Sequence, residues 1–466
     1  MKVNPNIFRA YDIRGIADPL KDEPTDLTPE TVYLIGQGTG TYLQKHYGKN
    51  LVVGRDNRLT GETLQKAFID GLKSTGCNVT DVGLCTSPML YWAVCFYKFD
   101  GGINITASHN PKEYNGVKIV AKDAHSVCGP DLQTILNIIE SGDFLTGEGT
   151  ETKKEIFKDY VADTTSRVDV KRKLKVVVDA GNATTGIFAP ALLEAVGCEV
   201  IPLFCELDGT FPNHEANPEE TKNMLDLMAK VKETGADLGI GFDGDGDRIG
   251  VVDELGEHYS ADYLLVLLAR DMLSRNPGAK VVFDVKVSQN VIDDIKKHGG
   301  EPVMSKTGHS FIEQKMKDIG ALLGGEISGH MFFEENYYGF DDAFFAALKT
   351  LAILSQDTKT LSQHFADMPK TFITPEYKAY CPDDKKFQIV KEVSEHFVNL
   401  YDCITIDGVR INFDENSWGA VRCSNTSPNL TLRFESTKSE KIDEMKEIMA
   451  KVLSKYPEVD LSWNKK

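Results

Sequence analysis

The 466-residue chain has no uninterrupted apolar run of the length that a membrane-spanning helix needs, about 18 to 20 residues. Its first residues, MKVNPNIFRAYDIRG, contain no apolar stretch typical of a secretory signal. The nine cysteines are scattered without CxxC pairs, which argues against a zinc site and fits reduced thiols. We therefore expect a cytoplasmic protein without a membrane partner.

Positive charge is in deficit, because 52 Lys and Arg against 70 Asp and Glu give a formal net charge of −18. Such a chain is a poor partner for nucleic acid or an anionic membrane. If it binds a phosphate ester, it must gather a few cations locally, against its own average field. The length predicts about three or four domains, and an apolar fraction of 41% can supply their cores.

A strand–helix–strand pattern occurs three times in the chain. Strands beginning at Leu51, Val176 and Val281 each lead through a helical segment (GLKSTG, LLEAVG, DIKKHGG) to a second strand. A separation of roughly 20 to 26 residues between the two strands suits a βαβ crossover in a mostly parallel sheet. Three matches in order predict three repeated α/β domains with mixed or parallel sheets.

The last hundred residues follow a different pattern, which predicts a smaller C-terminal α+β domain. Antiparallel strands are predicted at Thr405–Ile406, Val409–Ile411, Trp418–Arg422 and Leu430–Phe434. The charged amphipathic run from Ser439 to Tyr456 predicts a helix packed on them. Polar stretches between these patterns divide the chain into predicted domains at residues 1–150, 151–253, 254–368 and 369–466.

The segment GIGFDGDGDR, residues 239–248, is the strongest chemical motif. In an extended backbone, Asp243, Asp245 and Asp247 would point to one face, and the glycines between them let the backbone bend. Three close carboxylates repel one another unless a cation lies among them, and oxygen ligands favour Mg²⁺ or Ca²⁺. The alternatives are a solvated acidic loop and an EF-hand ending at Glu254. Arg248 at the position that needs glycine, and the preceding apolar strand, argue against the EF-hand.

The segment TASHNP, residues 106–111, follows an apolar strand and predicts an exposed turn that presents Ser108 and His109. His109 is expected to point away from the neighbouring serine hydroxyl, so a serine–histidine dyad is not expected. A serine beside a divalent cation suits phosphoryl transfer. A turn without chemistry is the alternative.

Two further segments carry polar side chains that suit a sugar phosphate. In GEISGH, residues 325–330, Glu326, Ser328 and His330 alternate and could bind sugar hydroxyls. In RCSNTSPN, residues 422–429, Arg422 and small donors in a tight turn could bind a phosphate. The alternatives are an ordinary polar loop and a hairpin turn. Further cations are predicted on loops, at Arg14, Lys118, Lys286 and His309.

Taken together, TASHNP, DGDGDR, GEISGH and RCSNTSPNLTLRFE occur in the order found in the α-D-phosphohexomutase superfamily, which the chain resembles over essentially its whole length. The resemblance implies three α/β domains and a smaller α+β domain around a central cleft. It also implies exchange of a phosphoryl group between O1 and O6 of a hexose, through a phosphoserine and a hexose 1,6-bisphosphate. A flexible C-terminal domain would let the bisphosphate turn over.

The resemblance also implies a role for each matching residue. Phosphorylated Ser108 would join Asp243, Asp245 and Asp247 as ligands of one Mg²⁺. The residues implied to stabilise charge and transfer protons at the reacting oxygen are Arg14, His109, Lys118, Arg248 and His330. The residues implied to bind the sugar or its non-reacting phosphate, or to line the cleft, are Tyr11, Lys286, His309, Glu326, Ser328, His330, Arg422, Ser424, Asn425 and Thr426.

The resemblance further implies glucose 1,6-bisphosphate as the primer of Ser108, and a monomer or homodimer. GEISGH resembles the bacterial phosphomannomutase/phosphoglucomutase branch, whereas phosphoglucosamine mutases usually have GEQSGH, so Ile327 favours mannose and glucose phosphates. Phosphoglucosamine mutase is the first alternative, and a Mg²⁺-dependent sugar phosphatase is a more remote one. A binding module would require a damaged site, but Ser108 and the three aspartates are intact.

Overall fold

The structure, a computed structural model, describes residues 3–20, 23–425 and 427–464. Within these ranges, every helix is too short or too polar to cross a membrane. The predicted binding residue Thr426 lies outside the described residues.

The first segment of the chain, residues 3–156, folds around a mixed sheet. Its elements are, in chain order, β1 (Ile13–Ile16), α1 (Pro29–His46), β2 (Asn50–Arg55), α2 (Gly61–Ser74), β3 (Asn78–Leu84), α3 (Ser87–Tyr97), β4 (Gly101–Ile105), β5 (Tyr114–Ala121), α4 (Pro130–Ser141) and β6 (Glu151–Lys153). The strand order is β1-β5-β4-β2-β3-β6, with β2 parallel to β3 and β4, and β5 antiparallel to β4 and β1. Apolar side chains such as Phe68 and Ile103 are fully buried between helices and sheet, so burial fixes which face of each helix turns inward.

The second segment, residues 157–260, repeats this architecture with fewer elements. They are α5 (Phe157–Ser166), β7 (Lys175–Asp179), α6 (Ala189–Ala195), β8 (Glu199–Leu203), α7 (Leu225–Thr234), β9 (Leu238–Phe242), β10 (Ile249–Asp253) and β11 (His258–Tyr259). The strand order is β11-β10-β9-β7-β8, and β9 and β10 form an antiparallel hairpin. Both hairpin strands are buried along their length, so the turn between them starts and ends in the interior.

The third segment, residues 261–365, contains a sheet whose strand β12 is paired in parallel on both sides. Its elements are α8 (Ala261–Arg275), β12 (Lys280–Asp284), α9 (Gln289–Lys297), β13 (Glu301–Ser305), α10 (His309–Ile319), β14 (Leu323–Gly325), β15 (Met331–Phe333), α11 (Ala343–Ser355) and α12 (Leu361–His364). Strand β12 pairs in parallel with β13 on one side and β14 on the other. The carboxyl ends of these strands therefore lie at one edge of the sheet.

The last segment, residues 366–464, is antiparallel. Its elements are β16 (Phe372–Ile373), β17 (Tyr377–Tyr380), α13 (Asp383–Val398), β18 (Asp402–Ile404), β19 (Val409–Asp414), β20 (Ser417–Cys423), β21 (Asn429–Ser436) and α14 (Ser439–Leu453). The order is β16-β21-β20-β19-β18, with β17 also paired to β21. The predicted strand at Thr405–Ile406 is wrong. The strand ends at Ile404, and the turn around Gly408, with φ of +66°, occupies the next residues.

The three predicted repeats are confirmed as parallel pairs, β2 with β3, β7 with β8, and β12 with β13. The fold class, three α/β segments and a smaller α+β segment, is confirmed as well. The exact domain boundaries stay predictions. By its internal contacts the chain divides into two compact units. Unit 1 is the chain through Met272 with Ser328–Phe365, and unit 2 is Leu273–Ile327 with the chain from Ala366 onward.

Candidate active site

Ser108 lies in the turn between β4 and β5, in unit 1. Its backbone φ is +53°, a left-handed conformation that is costly for a residue other than glycine. Its Oγ donates a 2.6 Å hydrogen bond to Oδ2 of Asp243. The prediction of an exposed turn is wrong for this side chain, since Ser108 is only 2% exposed. The reason is that the turn packs against the aspartate hairpin.

His109 also lies against the serine hydroxyl, with its Nδ1 3.2 Å from Oγ of Ser108. The prediction that the ring points away is therefore wrong, because the left-handed turn at Ser108 brings neighbouring side chains to one side. Burial, with Arg248 and Arg14 nearby, holds the pKa of His109 well below its ordinary value. The ring is thus neutral near pH 7. Oγ of Ser108 is closer to Asp243, at 2.6 Å, than to His109, at 3.2 Å, so the serine is not paired with the histidine alone.

The three aspartates converge, but through a tight turn rather than an extended run. Oδ1 of Asp243 accepts hydrogen bonds from three backbone N–H groups, of Gly246, Asp247 and Arg248, at 3.0 to 3.1 Å. Gly246 has φ of +78°, which closes the turn. Strands β9 and β10 flank it where an EF-hand would need helices, so the rejection of an EF-hand is confirmed.

The acidic centre suits a divalent cation. Asp243, Asp245 and Asp247 each place a carboxylate oxygen within 4.8 Å of the others, and each side chain is at most 1% exposed. Burial, followed by the charges of Asp247 and Asp245, raises the pKa of Asp243 well above its ordinary value. In the part of the chain that the structure describes, Oδ1 of Asp245 has no hydrogen-bond partner. A hard cation with oxygen ligands would use that oxygen and relieve the repulsion.

Lys118 is the nearest fixed cation to this centre. Its Nζ donates to Oδ2 of Asp245 at 2.7 Å and also to Oδ2 of Asp247. Burial opposes its charge, but the two aspartates raise the pKa of Lys118 well above its ordinary value. Lys118 and Arg14 were predicted on loops, which is wrong. Lys118 lies on β5 and Arg14 on β1, and these two strands are paired. With only four residues, β1 is too short to show a strand pattern in the sequence.

Arg14 is bound at both ends of its guanidinium. Its Nε donates to Asp12 at 2.7 Å and its Nη1 to Oδ1 of Asn110 at 2.6 Å. It therefore connects β1 to the Ser108 turn. Tyr11 lies just before β1 and is half-buried.

Arg248 and His330 complete the candidate site in unit 1. Nε of Arg248 lies 3.4 Å from Nε2 of His330, which is 3.3 Å from Oδ1 of Asp247. Nδ1 of His330 lies 2.9 Å from Oγ of Ser328. Burial opposes ionised Asp247, but Lys118 and His330 lower the pKa of Asp247 well below its ordinary value.

In unit 2, two predicted residues follow strands of the third segment. Lys286 follows β12, and its Nζ donates to Glu376 at 2.5 Å. Glu326 follows β14, and its Oε1 accepts from the N–H of Gly308 at 2.6 Å. That contact lies directly beside His309. The prediction that His309 lies on a loop is wrong, because His309 is the first residue of α10.

The predicted phosphate loop, also in unit 2, connects β20 and β21. Nε of Arg422 donates to Oδ2 of Asp407 at 2.6 Å, and Oγ of Ser424 lies 2.9 Å from Ser427. Asn425 donates to the carbonyl of Thr307 at 3.0 Å. Arg422 lies near the end of β20, and Ser424 and Asn425 follow that strand directly; their polar contacts reach Asp407 and Thr307.

Sequence reasoning missed several partners of the site residues. Ser87 donates to Oδ2 of Asp245 at 2.6 Å, and Arg58 donates to the carbonyl of Ser108 at 2.8 Å. A signal for Arg58 was available. It follows β2, as Ser108 follows β4, and the carboxyl ends of neighbouring parallel strands meet at one edge. Glu376 and Asp407, which hold Lys286 and Arg422, carry no such signal.

The fold and the acidic centre define a class of multidomain α/β proteins with a candidate metal centre beside a buried serine. Family models match nearly the whole chain, and the chain belongs to the phosphoglucomutase/phosphomannomutase family. The matches are α/β/α domain I over residues 5–146, domain II over 157–256, domain III over 260–372 and the C-terminal domain over 376–452.

Individual relatives agree with this assignment. The chain is 44% identical to a phosphomannomutase/phosphoglucomutase of Pseudomonas putida, covering 98% of this chain and 97% of the relative. It is also 44% identical to a phosphomannomutase/phosphoglucomutase of Pseudomonas aeruginosa, over 95% of this chain and 94% of the relative. A crystal structure of a phosphoglucomutase/phosphomannomutase family protein from Burkholderia thailandensis superposes with a TM-score of 0.89 at 36% identity, covering 97% and 98%. These similarities span all four segments.

Proposed function

We propose that this chain is a phosphohexomutase that interconverts hexose 1-phosphates and hexose 6-phosphates, with mannose or glucose as the sugar. Family membership supports the reaction class. The observation that carries the proposal is the buried contact between Oγ of Ser108 and Asp243 in the acidic centre. A serine used for phosphoryl transfer needs positive charge beside it, because the transferred group carries negative charge, and an acidic centre supplies that charge when it binds a cation.

We propose Mg²⁺ as the ion of the acidic centre, held by Asp243, Asp245, Asp247 and the phosphate of Ser108. When bound, the ion supplies positive charge that stabilises the transferring phosphoryl group. Lys118 balances the carboxylates and points its ammonium into the same centre. Glucose 1,6-bisphosphate would prime Ser108 by phosphorylating it. A cytoplasmic location belongs to the same proposal.

The chemical step exchanges one P–O bond for another. The bond between phosphorus and Oγ of Ser108 breaks, a bond from phosphorus to the oxygen of the free substrate hydroxyl forms, and a proton replaces the phosphoryl group on Oγ. His330 accepts the hydroxyl proton, since its ring lies between Asp247 and Arg248. Arg14 and Arg248 offset the charge that develops on the oxygens. The reverse transfer, from the other end of the bisphosphate, restores phosphoserine.

The proposal also assigns residues that bind the rest of the substrate. Arg422, at the end of β20, and Ser424 and Asn425, in the turn that follows, would hold the non-reacting phosphate. Glu326 would accept from sugar hydroxyls. Phosphoglucosamine is the alternative sugar, and Ile327 in GEISGH is the residue that argues against it.

A side-by-side assay tests the proposal. Purified protein receives mannose 1-phosphate, glucose 1-phosphate or glucosamine 1-phosphate, with Mg²⁺ and a trace of glucose 1,6-bisphosphate, and formation of each 6-phosphate is followed. We expect turnover of the mannose and glucose esters, and a loss of more than about 10³-fold in Ser108→Ala, because the phosphoryl carrier is gone.

The other outcomes distinguish the alternatives. Dominant glucosamine turnover would keep the mechanism and change the substrate. Release of free phosphate without any 6-phosphate would refute the mutase and favour a sugar phosphatase. Full activity in Ser108→Ala would remove the serine from the mechanism.

A further inference from the structure

Arg58, which follows β2, uses its entire guanidinium to hold the Ser108 turn. A guanidinium has five N–H donors in a fixed planar arrangement. Here they donate to one carboxylate and four backbone carbonyls, at Asp56, Ser108, Asn110, Pro111 and Tyr114. The carbonyl contacts measure 2.7 to 2.9 Å, and the contact to the carboxylate measures 3.1 Å. Arg58 is 2% exposed, and its bonds to Asp56 and to the carbonyl of Ser108 are buried.

The turn needs such support because packing does not supply it on every side. Ser108 has φ of +53°, a conformation that persists only when its surroundings fix it. The turn from Ser108 to Glu113 also lines a cavity of about 210 Å³, together with residues such as Phe211 and Glu215. Atoms that face this space lack packing partners on that side, so packing alone does not fix the turn.

Gly244, in the turn between β9 and β10, lies against the carbonyl of Ser108. A Cβ at this position would lie 2.2 Å from the carbonyl oxygen of Ser108. The peptide after Ser108 is therefore confined between the Arg58 guanidinium and the backbone of the aspartate turn. Its orientation sets where Oγ of Ser108 lies relative to Asp243.

We infer that Arg58 is a positioning residue for phosphoryl transfer, which holds the Ser108 turn in its left-handed conformation so that Oγ faces the acidic centre. This inference rests on the proposed function for its kinetic consequence, but not for its structural one. Arg58 does not contact Oγ, so it acts through the backbone. A lysine has one nitrogen and at most three donors, so it cannot satisfy five acceptors in one plane.

Arg58→Lys is the primary test, and Gly244→Ala is a second variant that displaces the same carbonyl from the other side. Hydrogen–deuterium exchange of peptides covering residues 104–118 is measured first, because it needs no activity. We expect exchange in this turn to rise at least about tenfold in both variants, with other peptides of unit 1 little changed. Arg167→Lys is the matched control. Arg167 also binds a carboxylate and a carbonyl, those of Asp163 and Asn336, away from the turn.

Kinetics on the same variants give the second measurement. We expect kcat to fall about 10- to 100-fold in Arg58→Lys with KM for the sugar phosphate unchanged, because a displacement of about 1 Å at a reacting group has that effect. Arg167→Lys should keep both constants. Unchanged exchange in the turn, with or without a loss of kcat, would overturn the inference, as would unchanged kcat. If the wild-type protein is not a mutase, the exchange measurement alone decides whether Arg58 holds the turn.

Discussion

At the scale of single residues, the site concentrates charge and backbone strain in two short turns. Ser108 occupies a left-handed conformation, and three buried carboxylates face one ammonium, that of Lys118. Two unit charges about 4 Å apart interact by about 4 kcal/mol at an effective dielectric constant of about 20. Lys118 donates to Asp245 and Asp247, whereas Asp243 accepts from backbone N–H groups and the Ser108 hydroxyl. Burial first, and then the charges of Asp247 and Asp245, raise the pKa of Asp243.

A divalent cation should therefore stabilise the whole protein measurably. We expect millimolar Mg²⁺ to raise the melting temperature of the wild type, since ligand at 100 times its Kd adds about 2.7 kcal/mol. Asp245→Asn removes one charge and should weaken Mg²⁺ affinity at least about tenfold, measured by calorimetric titration and by the loss of the thermal shift. Asp226→Asn, at an exposed carboxylate on α7, is the control and should keep both. Equal affinity in Asp245→Asn would place the ion elsewhere.

Residue chemistry was partly readable from the sequence. The spacing of Asp243, Asp245 and Asp247 indicates their convergence, although the turn that brings them together depends on Asp243 accepting three N–H groups. The Arg58 contacts join residues about 50 positions apart, and no local pattern encodes them. The same holds for the ring of His109, whose direction depends on the φ of Ser108.

At the scale of elements, close backbone approach between helices fixes the first segment. Helices α1 and α2 meet where Gly36 faces Gly71, and a Cβ on Gly71 would lie 2.3 Å from the carbonyl oxygen of Tyr33. On α1, a Cβ on Gly38 would instead meet the side chain of Ile139 at 2.6 Å. A backbone carbonyl in a helix cannot move as a side chain can. Gly71 should therefore tolerate a larger side chain less well than Gly38 does.

The pair gives a matched stability test. Gly71→Ala should destabilise the segment by about 1 to 3 kcal/mol, because overpacking against backbone exceeds the gain of up to about 1 kcal/mol in helix propensity. Gly38→Ala should stay within about 1 kcal/mol of the wild type, because Ile139 can change rotamer. Urea unfolding followed by circular dichroism measures both. Equal stability of the two variants would mean that α1 and α2 can separate without cost.

Elements were predictable where the chain pairs with nearby sequence. The three βαβ units could be predicted from apolar runs and glycines. Strand β1, in contrast, pairs with β5 about a hundred residues later and is too short to show an alternation of apolar and polar residues. The strand expected at Thr405–Ile406 shows the opposite error. Its β-branched residues are typical of a strand, but the left-handed Gly408 places a turn there. Tertiary pairing and turn chemistry outweigh local propensity at both places.

At the scale of the whole molecule, a net charge of −18 contrasts with local clusters of cations. Arg14, Lys118 and Arg248 lie at the acidic centre of unit 1, and Arg422 and Lys286 lie in unit 2. Each is paired with a carboxylate, at 2.5 to 3.7 Å, so none adds to a long-range attractive field. The cations are therefore suited to short-range contacts with a bound phosphate, and their effects should separate by unit.

Substitution of Arg422 tests this separation. We expect Arg422→Gln to raise KM for the sugar phosphate roughly 10- to 100-fold with a smaller loss of kcat, since a charge-assisted hydrogen bond contributes about 1.5 to 3 kcal/mol. Lys118→Met should do the reverse and lower mainly kcat, because Lys118 faces the reacting centre. Lys441→Gln makes the same change of charge on α14, away from the turn, and should leave KM unchanged. A loss of kcat alone in Arg422→Gln would contradict a phosphate-binding role. It would assign Arg422 to the transfer step, together with Lys118.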